Sequence, residues 1–342
     1  MNRQHDPGTP SDPEELPVDA RDEQALTAVK LYFERGMSQA EVAAELGVSR
    51  PTAAKLIQLG KQRGFVTIEI HDPREVDSAL AKQLVSRFGL ADVRLAHLPR
   101  DTDADLLREL GKLGAAALQE LVTDGMKVGV SWGDTMYSVA AQLEHTDRRG
   151  VEIVQLKGGT SHSERSTFDL ETINSFCLAF NATARTLPLP VIFDSEETKR
   201  IVERDRHISR ILAAGRDTDL VTFTVGDVHR SSLLLNLGYL SENEVDQLLD
   251  RAAGDACSRF FTAAGGTAVP SIDDRTVGIT LDELASRPIR LLIAGGAAKT
   301  TAISTALDMG LATHLIIDRP TALRVLDAAG PAGSDGTAGK RG

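Results

Sequence analysis

The sequence predicts an α/β protein built in two parts, a small helical module followed by a doubly wound α/β domain. Three observations carry that class. Before residue 73 the apolar residues recur at helical spacing and are interrupted by single glycines. After "EIHDPREVD", short apolar runs of strand character alternate with helical stretches, the pattern of a parallel sheet covered by helices. Several of those runs stop abruptly in glycine, the strand-then-loop arrangement of such sheets.

The chain has 342 residues, 42% of them hydrophobic, enough to bury a sizeable core in about two domains. No apolar run approaches the roughly 18 residues of a membrane span. The opening "MNRQHDPGTPSDPEELPVD" is acidic and proline-rich, unlike a secretory or transit peptide. Cys177 and Cys257 lack metal-ligand spacing and are expected to be reduced core thiols of a cytoplasmic protein. Neither a metal nor a cofactor is expected. A net charge of -11 argues against a non-specific polyanion binder. It leaves room for a small DNA-reading module, because that electrostatic footprint is local. The expected segments are a disordered tail at 1–21, the helical module at 22–73 with Asp72-Pro73 as hinge, the α/β domain at 74–328 and a second tail at 329–342.

In the first module, "QALTAVKLYFER" sets Leu26, Val29, Leu31, Tyr32 and Phe33 mostly on one helical stripe, and Gly36 ends it. Ser38 caps the next helix with Glu41 at capping-box spacing. That helix buries Val42, Ala43 and Leu46. Gly47 makes the turn, and Ser49 caps a third helix with Pro51 in its first turn. Helix, short glycine turn, helix is a helix-turn-helix. "RGFVTIEI" then reads as a short strand of the winged type.

Charge selects the helix that would read DNA. From Arg50 to Arg63 the charged residues are Arg50, Lys55, Lys61 and Arg63, with no acid, whereas the preceding helix carries Glu41 and Glu45. A recognition helix presents its N-terminal residues to base edges, here Ser49, Arg50, Pro51, Thr52 and Lys55. Arg50 could take a guanine bidentately, while Thr52 and Lys55 suit a base or a phosphate. Ser38 and Gln39 on the preceding helix and Lys61 further along complete the candidate DNA contacts. The plainer alternative is a three-helix bundle with a solvated basic face.

In the second part, "KVGVSWGDT" is an apolar strand followed by Ser131, Gly133, Asp134 and Thr135, with a helix opening at Met136. Small residues let backbone N–H groups approach an anion, and a helix N-terminus adds its dipole. "QLKGGT", with Gly158 and Gly159, and "LLIAGGAAKT", with Lys299 in the following helical turn, repeat the arrangement. Ligands of open α/β sheets bind outside the carboxyl ends of the strands, where all three loops would converge. Neither GxxxxGK[ST] nor GxGxxG is present, so a phosphorylated small molecule is expected rather than a nucleotide. Lys157 stands where a buried strand, "VEIVQL", meets its glycines. Either it ends the strand and snorkels into water or it acts at a site. Asp227 and His229 at another strand end could face sugar hydroxyls, His162 and Arg165 lie beyond the glycines, and Trp132 sits within the first loop.

These segments together resemble the SorC-type, or DeoR-like sugar-binding, bacterial transcriptional regulators. "LYFERGMSQAEVAAELGVSRPTAAKLIQLGKQRGFVTIEIHDP" is similar to their DNA-binding segment, departing from the usual pattern at Ala53, Ala54 and Lys55. "LAKQLVSRFGLADVRLAHLP", "KVGVSWGDTMYSVAAQL", "DLVTFTVGDVHRSSLLLNLGYLSENEVDQLL" and "VGITLDELASRPIRLLIAGGAAKTTAISTALDMGLATHLIID" follow in family order, to about residue 327. The resemblance implies a second domain folded like sugar-phosphate isomerases and deaminases. It implies a ligand-controlled regulator, a repressor, of a nucleoside, deoxyribonucleoside or pentose catabolic operon. Its partners would be operator DNA, a phosphorylated sugar and further copies of itself in a homotetramer, in the cytoplasm at the nucleoid. Where "QLKGG" occurs the likeness is to deoxyribonucleoside regulators, which implies deoxyribose 5-phosphate as effector, bound by Lys157 as a Schiff base. Desolvation and a neighbouring Lys299 are expected to lower the pKa of that amine. The alternative is a sugar-phosphate isomerase or deaminase with a helical appendage. Against it, the strand-end loops show no carboxylate–histidine arrangement placed for proton transfer.

Overall fold

The computed structural model describes residues 20–66, 73–161, 163 and 166–329. The chain divides between Asp72 and Pro73 into two compact units. The tail residues before 20 and after 329, the part of the expected wing strand "RGFVTIEI" from Thr67 to Ile70 and the loop residues His162 and Arg165 lie outside the described residues.

The first unit is a trihelical core. Helix α1 (Ala20–Val29) begins inside the segment expected to be a tail and runs into a π-helical turn at Lys30–Glu34. Gly36, with φ of +66°, ends that helical run in a conformation most side chains resist. Helix α2 (Gln39–Glu45) opens on the capping box: the Glu41 N–H donates to Ser38 Oγ at 3.3 Å and the Ser38 N–H to Glu41 Oε2 at 2.7 Å. Helix α3 (Arg50–Gln62) is capped by Ser49, with Pro51 in its first turn. Ala25, Ala28, Leu31, Val42, Ala43, Ala53, Leu56 and Ile57 close the core. Ala53, one of the departures from the family pattern, is fully buried, and Gly60 lets α1 approach, since a Cβ there would meet Val29 Cγ2 at 2.3 Å.

The second unit opens on α4 (Pro73–Phe88) and β1 (Asp92–Ala96). Next come α5 (Asp103–Leu121), β2 (Lys127–Val130), α6 (Asp134–Ala140), β3 (Glu152–Gln155), α7 (Asp169–Phe180) and β4 (Thr183–Arg185). Helices α8 (Glu196–Glu203) and α9 (Arg206–Arg216) lead to β5 (Leu220–Phe223), which is followed by β6 (Val225–Gly226), α10 (Glu242–Arg251), β7 (Gly254–Ala256) and β8 (Arg259–Phe261). The chain closes with α11 (Pro270–Asp273), α12 (Leu281–Ala285), β9 (Ile289–Ile293), α13 (Thr300–Asp308), β10 (His314–Asp318) and α14 (Arg319–Ala329).

Seven strands form one sheet in the order β1-β10-β9-β5-β2-β3-β4, and every pairing is parallel. The chain winds outward from β2 through β3 to β4, then crosses back to β5 and winds the other way. The direction reverses between β2 and β5, which opens a crevice beyond their carboxyl ends. Alternate residues serve opposite faces: Leu291 and Ile293 pack beneath α5, α6 and α7, whereas Leu292 faces α4, α13 and α14. Parallel strands buried on both faces account for the continuous apolar runs in the sequence.

A second, antiparallel sheet, β6-β7-β8, was not expected from the alternation of strands and helices. Its strands of two or three residues are too short to show a period of two. It stands beside the crevice. Among the described residues no helix is long and apolar enough to cross a membrane.

Candidate functional site

At the reversal point the strand-end loops enclose a cavity of about 430 Å³ lined by Trp132, Gly133, Thr135, Lys157, Asp227, Asp255 and Lys299, among others. A neighbouring lobe of about 540 Å³ lies toward the ends of β9 and β10 and is bordered by Gly295, Gly296, Asp318 and Arg324. Asp103, Asp134, Thr135, Asp227, His229 and Lys299 border both.

Lys157 does not snorkel. It is only 5% exposed, and its Nζ lies 3.7 Å from the centroid of the Trp132 ring. The ring is fixed in turn: its Nε1–H donates to Gly158 O at 2.8 Å, and it packs with Val191, Ile192 and Leu234. The Lys157 backbone pairs as a bridge with Gly278, which holds the side chain at the cavity wall. Burial lowers the pKa of the amine from its ordinary value, while the acidic groups of Asp255, Cys257 and Asp169 pull it back up. Lys299, expected to depress it further, is not among the groups that act on it. Among the described residues Lys157 forms no ion pair with a carboxylate.

Lys299 caps α13 as the last residue of the turn Ala297–Lys299. Burial lowers its pKa, and Asp227, Asp255 and Asp134 oppose that effect. Asp227 pairs with His229 at 2.8 Å. Helix α6 begins at Asp134, two residues earlier than the sequence suggests, and Gly133 ahead of it has φ of +130°. Nothing lies within 4 Å of a Cβ built on Gly133, so this glycine answers a backbone conformation and not a tight contact.

Three expected ligand residues do something else. Ser131 is buried at the end of β2, its N–H donating to Thr222 O at 3.0 Å and its hydroxyl without a hydrogen-bond partner among the described residues. Gly158 and Gly159 are buried and do not line the cavity. A Cβ on Gly158 would meet Pro190 O at 2.3 Å, and one on Gly159 would meet Asp169 Oδ2 at 1.8 Å. Those two glycines let neighbouring backbone and an acid approach the Lys157 strand closely. They do not face an anion.

Asp255 also lines the cavity, a residue not expected from the sequence. It is buried on β7, with Oδ2 accepting from the Ser258 N–H at 3.0 Å. Gly226 makes room for it: a Cβ there would lie 2.2 Å from Asp255 Oδ1. Burial raises the Asp255 carboxyl pKa, against the lowering effects of Lys157, the Ser258 N–H and Lys299. The signal available in the sequence was the spacing "DACS", an acid three residues before a serine at a hairpin turn.

In the first unit, Arg50, Pro51, Thr52 and Lys55 are exposed together at the start of α3. Thr52 is partly engaged, its Oγ1 lying 2.8 Å from Ser49 Oγ within the cap. Ser38 and Gln39 open α2, with the Ser38 hydroxyl taken by its capping box. Lys61 lies at the far end of α3 over the Phe33 ring, 5.2 Å from its centroid. Arg21 of α1 borders the same hollow as Thr52 and Lys55, a basic neighbour hidden in the segment expected to be a tail.

Residues 72–327 match the family model described as "Putative sugar-binding domain". The chain is 43% identical over 298 residues to the deoxyribonucleoside regulator of Bacillus subtilis, a match covering 87% of this chain and 95% of that protein. It is 28% identical over 296 residues to the sorbitol operon regulator of Klebsiella pneumoniae, covering 86% and 94%. Among solved structures, the full-length sorbitol operon regulator SorC from Klebsiella pneumoniae aligns with a TM-score of 0.67 at 25% identity, over 89% of this chain and 98% of that one.

Proposed function

The chain belongs to the SorC-type family of sugar-binding transcriptional regulators, and on that premise we propose that it is released from operator DNA by deoxyribose 5-phosphate held covalently on Lys157. It is a regulator and not an enzyme; its relatives are named transcriptional regulators. The observation that carries the effector reading is the Lys157 amine, buried at the cavity wall against Trp132 and, among the described residues, without an ion pair. A desolvated amine is more often neutral and therefore nucleophilic at ordinary pH. A 2-deoxy sugar opens to its aldehyde more readily than ribose, which favours it as the carbonyl partner.

Within this reading Lys299 and the loop Gly133–Thr135 meet the phosphate, and Asp227 and His229 meet the sugar hydroxyls. Arg50, Thr52 and Lys55 read the operator, with Ser38, Gln39, Ser49, Pro51 and Lys61 supporting contacts at the DNA surface. One such head spans too few base pairs for useful specificity, so the working form is a homo-oligomer, a tetramer of paired dimers, matched to palindromic half-sites. The regulator represses a deoxyribonucleoside or related pentose operon in the cytoplasm. The sugar shifts the relation between DNA-binding heads by binding the two arrangements unequally.

The test is release of the cognate operator, first recovered from a random duplex library, by a panel of sugar phosphates. Deoxyribose 5-phosphate should release it at the lowest concentration, ribose 5-phosphate only at higher ones, and Lys157→Arg should respond weakly to either. Equal release by every phosphate ester, with Lys157→Arg unimpaired, would remove the covalent reading.

A further inference from the structure

Asp255 has no part in that reading, yet the fold goes to some length to place it. It sits at the foot of a two-residue turn between β7 and β8, where Ala256 pairs with Arg259. The turn residues Cys257 and Ser258 both adopt left-handed backbone, with φ of +50° and +67°, although neither is glycine. Such turns favour Asn-Gly, and each non-glycine residue held this way is strained. The turn is not a loop tip in water: Cys257 is 1% and Ser258 0% exposed. Arg259, also buried, secures its far side by donating to Ile279 O, Asp273 O and Gly278 O, at 3.3, 2.7 and 3.1 Å. Gly278 is the bridge partner of Lys157, so one set of contacts positions both the carboxyl and the amine.

We propose that Asp255 is the acid that drives condensation of the Lys157 amine with the sugar aldehyde, and afterwards the counter-ion that retains the adduct. This rests on the covalent reading of Lys157 given above. The Nζ lone pair adds to the aldehyde carbon, and one amine proton passes to the former carbonyl oxygen, giving a neutral carbinolamine. The Asp255 carboxyl then protonates that hydroxyl. Water leaves with the C–O electron pair while the nitrogen lone pair forms C=N. Amine, aldehyde and carboxylic acid thus become iminium, carboxylate and one water. A cavity that holds a neutral pair before binding holds an iminium–carboxylate pair afterwards, and without the Asp255 carboxylate the buried iminium would be left uncompensated.

The electrostatics agree. Burial favours the protonated form of Asp255 and the neutral form of Lys157, the pair of states that condensation needs. The charged and titratable groups around them are Lys299 before α13, Asp227 after β6, Asp169 on α7 and Cys257 in the turn. Cys257 is buried in the same turn, but burial pushes its thiol up to about 11, too weak an acid to deliver a proton near neutral pH, which leaves Asp255.

The experiment uses the full chain, deoxyribose 5-phosphate and excess cyanoborohydride, and reads the rate at which the reduced adduct appears on Lys157. Asp255→Asn keeps an oxygen for the Ser258 N–H but cannot supply the proton. It should slow trapping by roughly 100-fold or more, the usual range for a general acid. Binding of the carbonyl-free analogue 2-deoxyribitol 5-phosphate should change little. Asp255→Ala should be equally slow and should recover part of its rate in formate buffer but not in chloride. Trapping at the wild-type rate in either folded variant overturns the proposal. Should both variants fail to fold, the wild-type profile decides, read at hydride concentrations high enough that condensation alone limits the rate: a rate falling at alkaline pH, as the acid is lost, supports it, and a flat one overturns it. No trapping in the wild-type chain at all would instead remove the covalent reading of Lys157 itself.

Discussion

Trp132→Phe perturbs the support beneath Lys157 without removing an aromatic face. Trp132 is 3% exposed, its Nε1–H donates to Gly158 O at 2.8 Å, and its ring faces Lys157 Nζ at 3.7 Å. Phenylalanine leaves the buried Gly158 carbonyl without that donor, at a cost of about 1–3 kcal/mol. The lost indole area, roughly 40 Å², contributes about 1 kcal/mol more at 25 cal/mol per Å². Part of the ammonium–ring attraction survives, because phenylalanine still offers a face. The sum, about 2–4 kcal/mol, should lower the melting temperature by roughly 4–16 °C for a unit of this size. The assay is thermal unfolding followed by circular dichroism, since Trp132 is the only tryptophan and the variant has no indole fluorescence. A destabilisation below about 0.5 kcal/mol would refute the reasoning, because it would mean that no buried hydrogen bond depends on the indole.

Gly158→Ala should destabilise the second unit by about 1–3 kcal/mol or more, because the new Cβ would lie 2.3 Å from the backbone oxygen of Pro190, which cannot swing aside; unfolding in urea measures it, and an unchanged midpoint contradicts the packing described. Burial pushes the Cys257 thiol up to about 11, so iodoacetamide should leave Cys257 unmodified in the native chain near pH 8 and label it on unfolding. Because that folded-state value lies above the unfolded one, the thiol's contribution to stability is complete below about pH 8.5 and is lost as pH rises toward 11. Arg50→Ala should weaken operator binding by about 1–3 kcal/mol and relax base preference at one position, whereas Lys61→Ala should weaken all sequences alike and reduce the salt slope by about 1, as measured by fluorescence anisotropy. Lys299→Ala should raise the concentration of every phosphorylated effector needed for release, while leaving carbonyl capture by Lys157 in place.

Helices with clear caps and a strong period were legible in the sequence. Ser38 with Glu41 and Ser49 with Pro51 mark the starts of α2 and α3 by local hydrogen bonding alone, and the structure contains both caps. The parallel sheet was legible too, because strands buried on both faces must be apolar throughout. The roles of individual glycines were not. Gly133, Gly158 and Gly159 look alike in sequence, yet one answers a backbone angle and two answer close approach from segments 10 to 32 residues away. Asp255 was missed for a similar reason. Its hairpin is too short for periodicity, its turn residues Cys257 and Ser258 are not those a tight turn prefers, and its neighbour Lys157 is far away along the chain. Lys157 was singled out because a charge at the end of an apolar strand breaks the local pattern. Its burial against Trp132 depends on tertiary contacts that no local pattern encodes.

The most direct test is peptide mapping of the chain after borohydride reduction in the presence of deoxyribose 5-phosphate, run beside operator release under the same conditions. The account predicts one added deoxyribose phosphate per chain, located on Lys157, appearing over the same range of sugar concentration that frees the operator. Operator release with no added mass on Lys157, or added mass spread over exposed lysines such as Lys55 and Lys61, would contradict it.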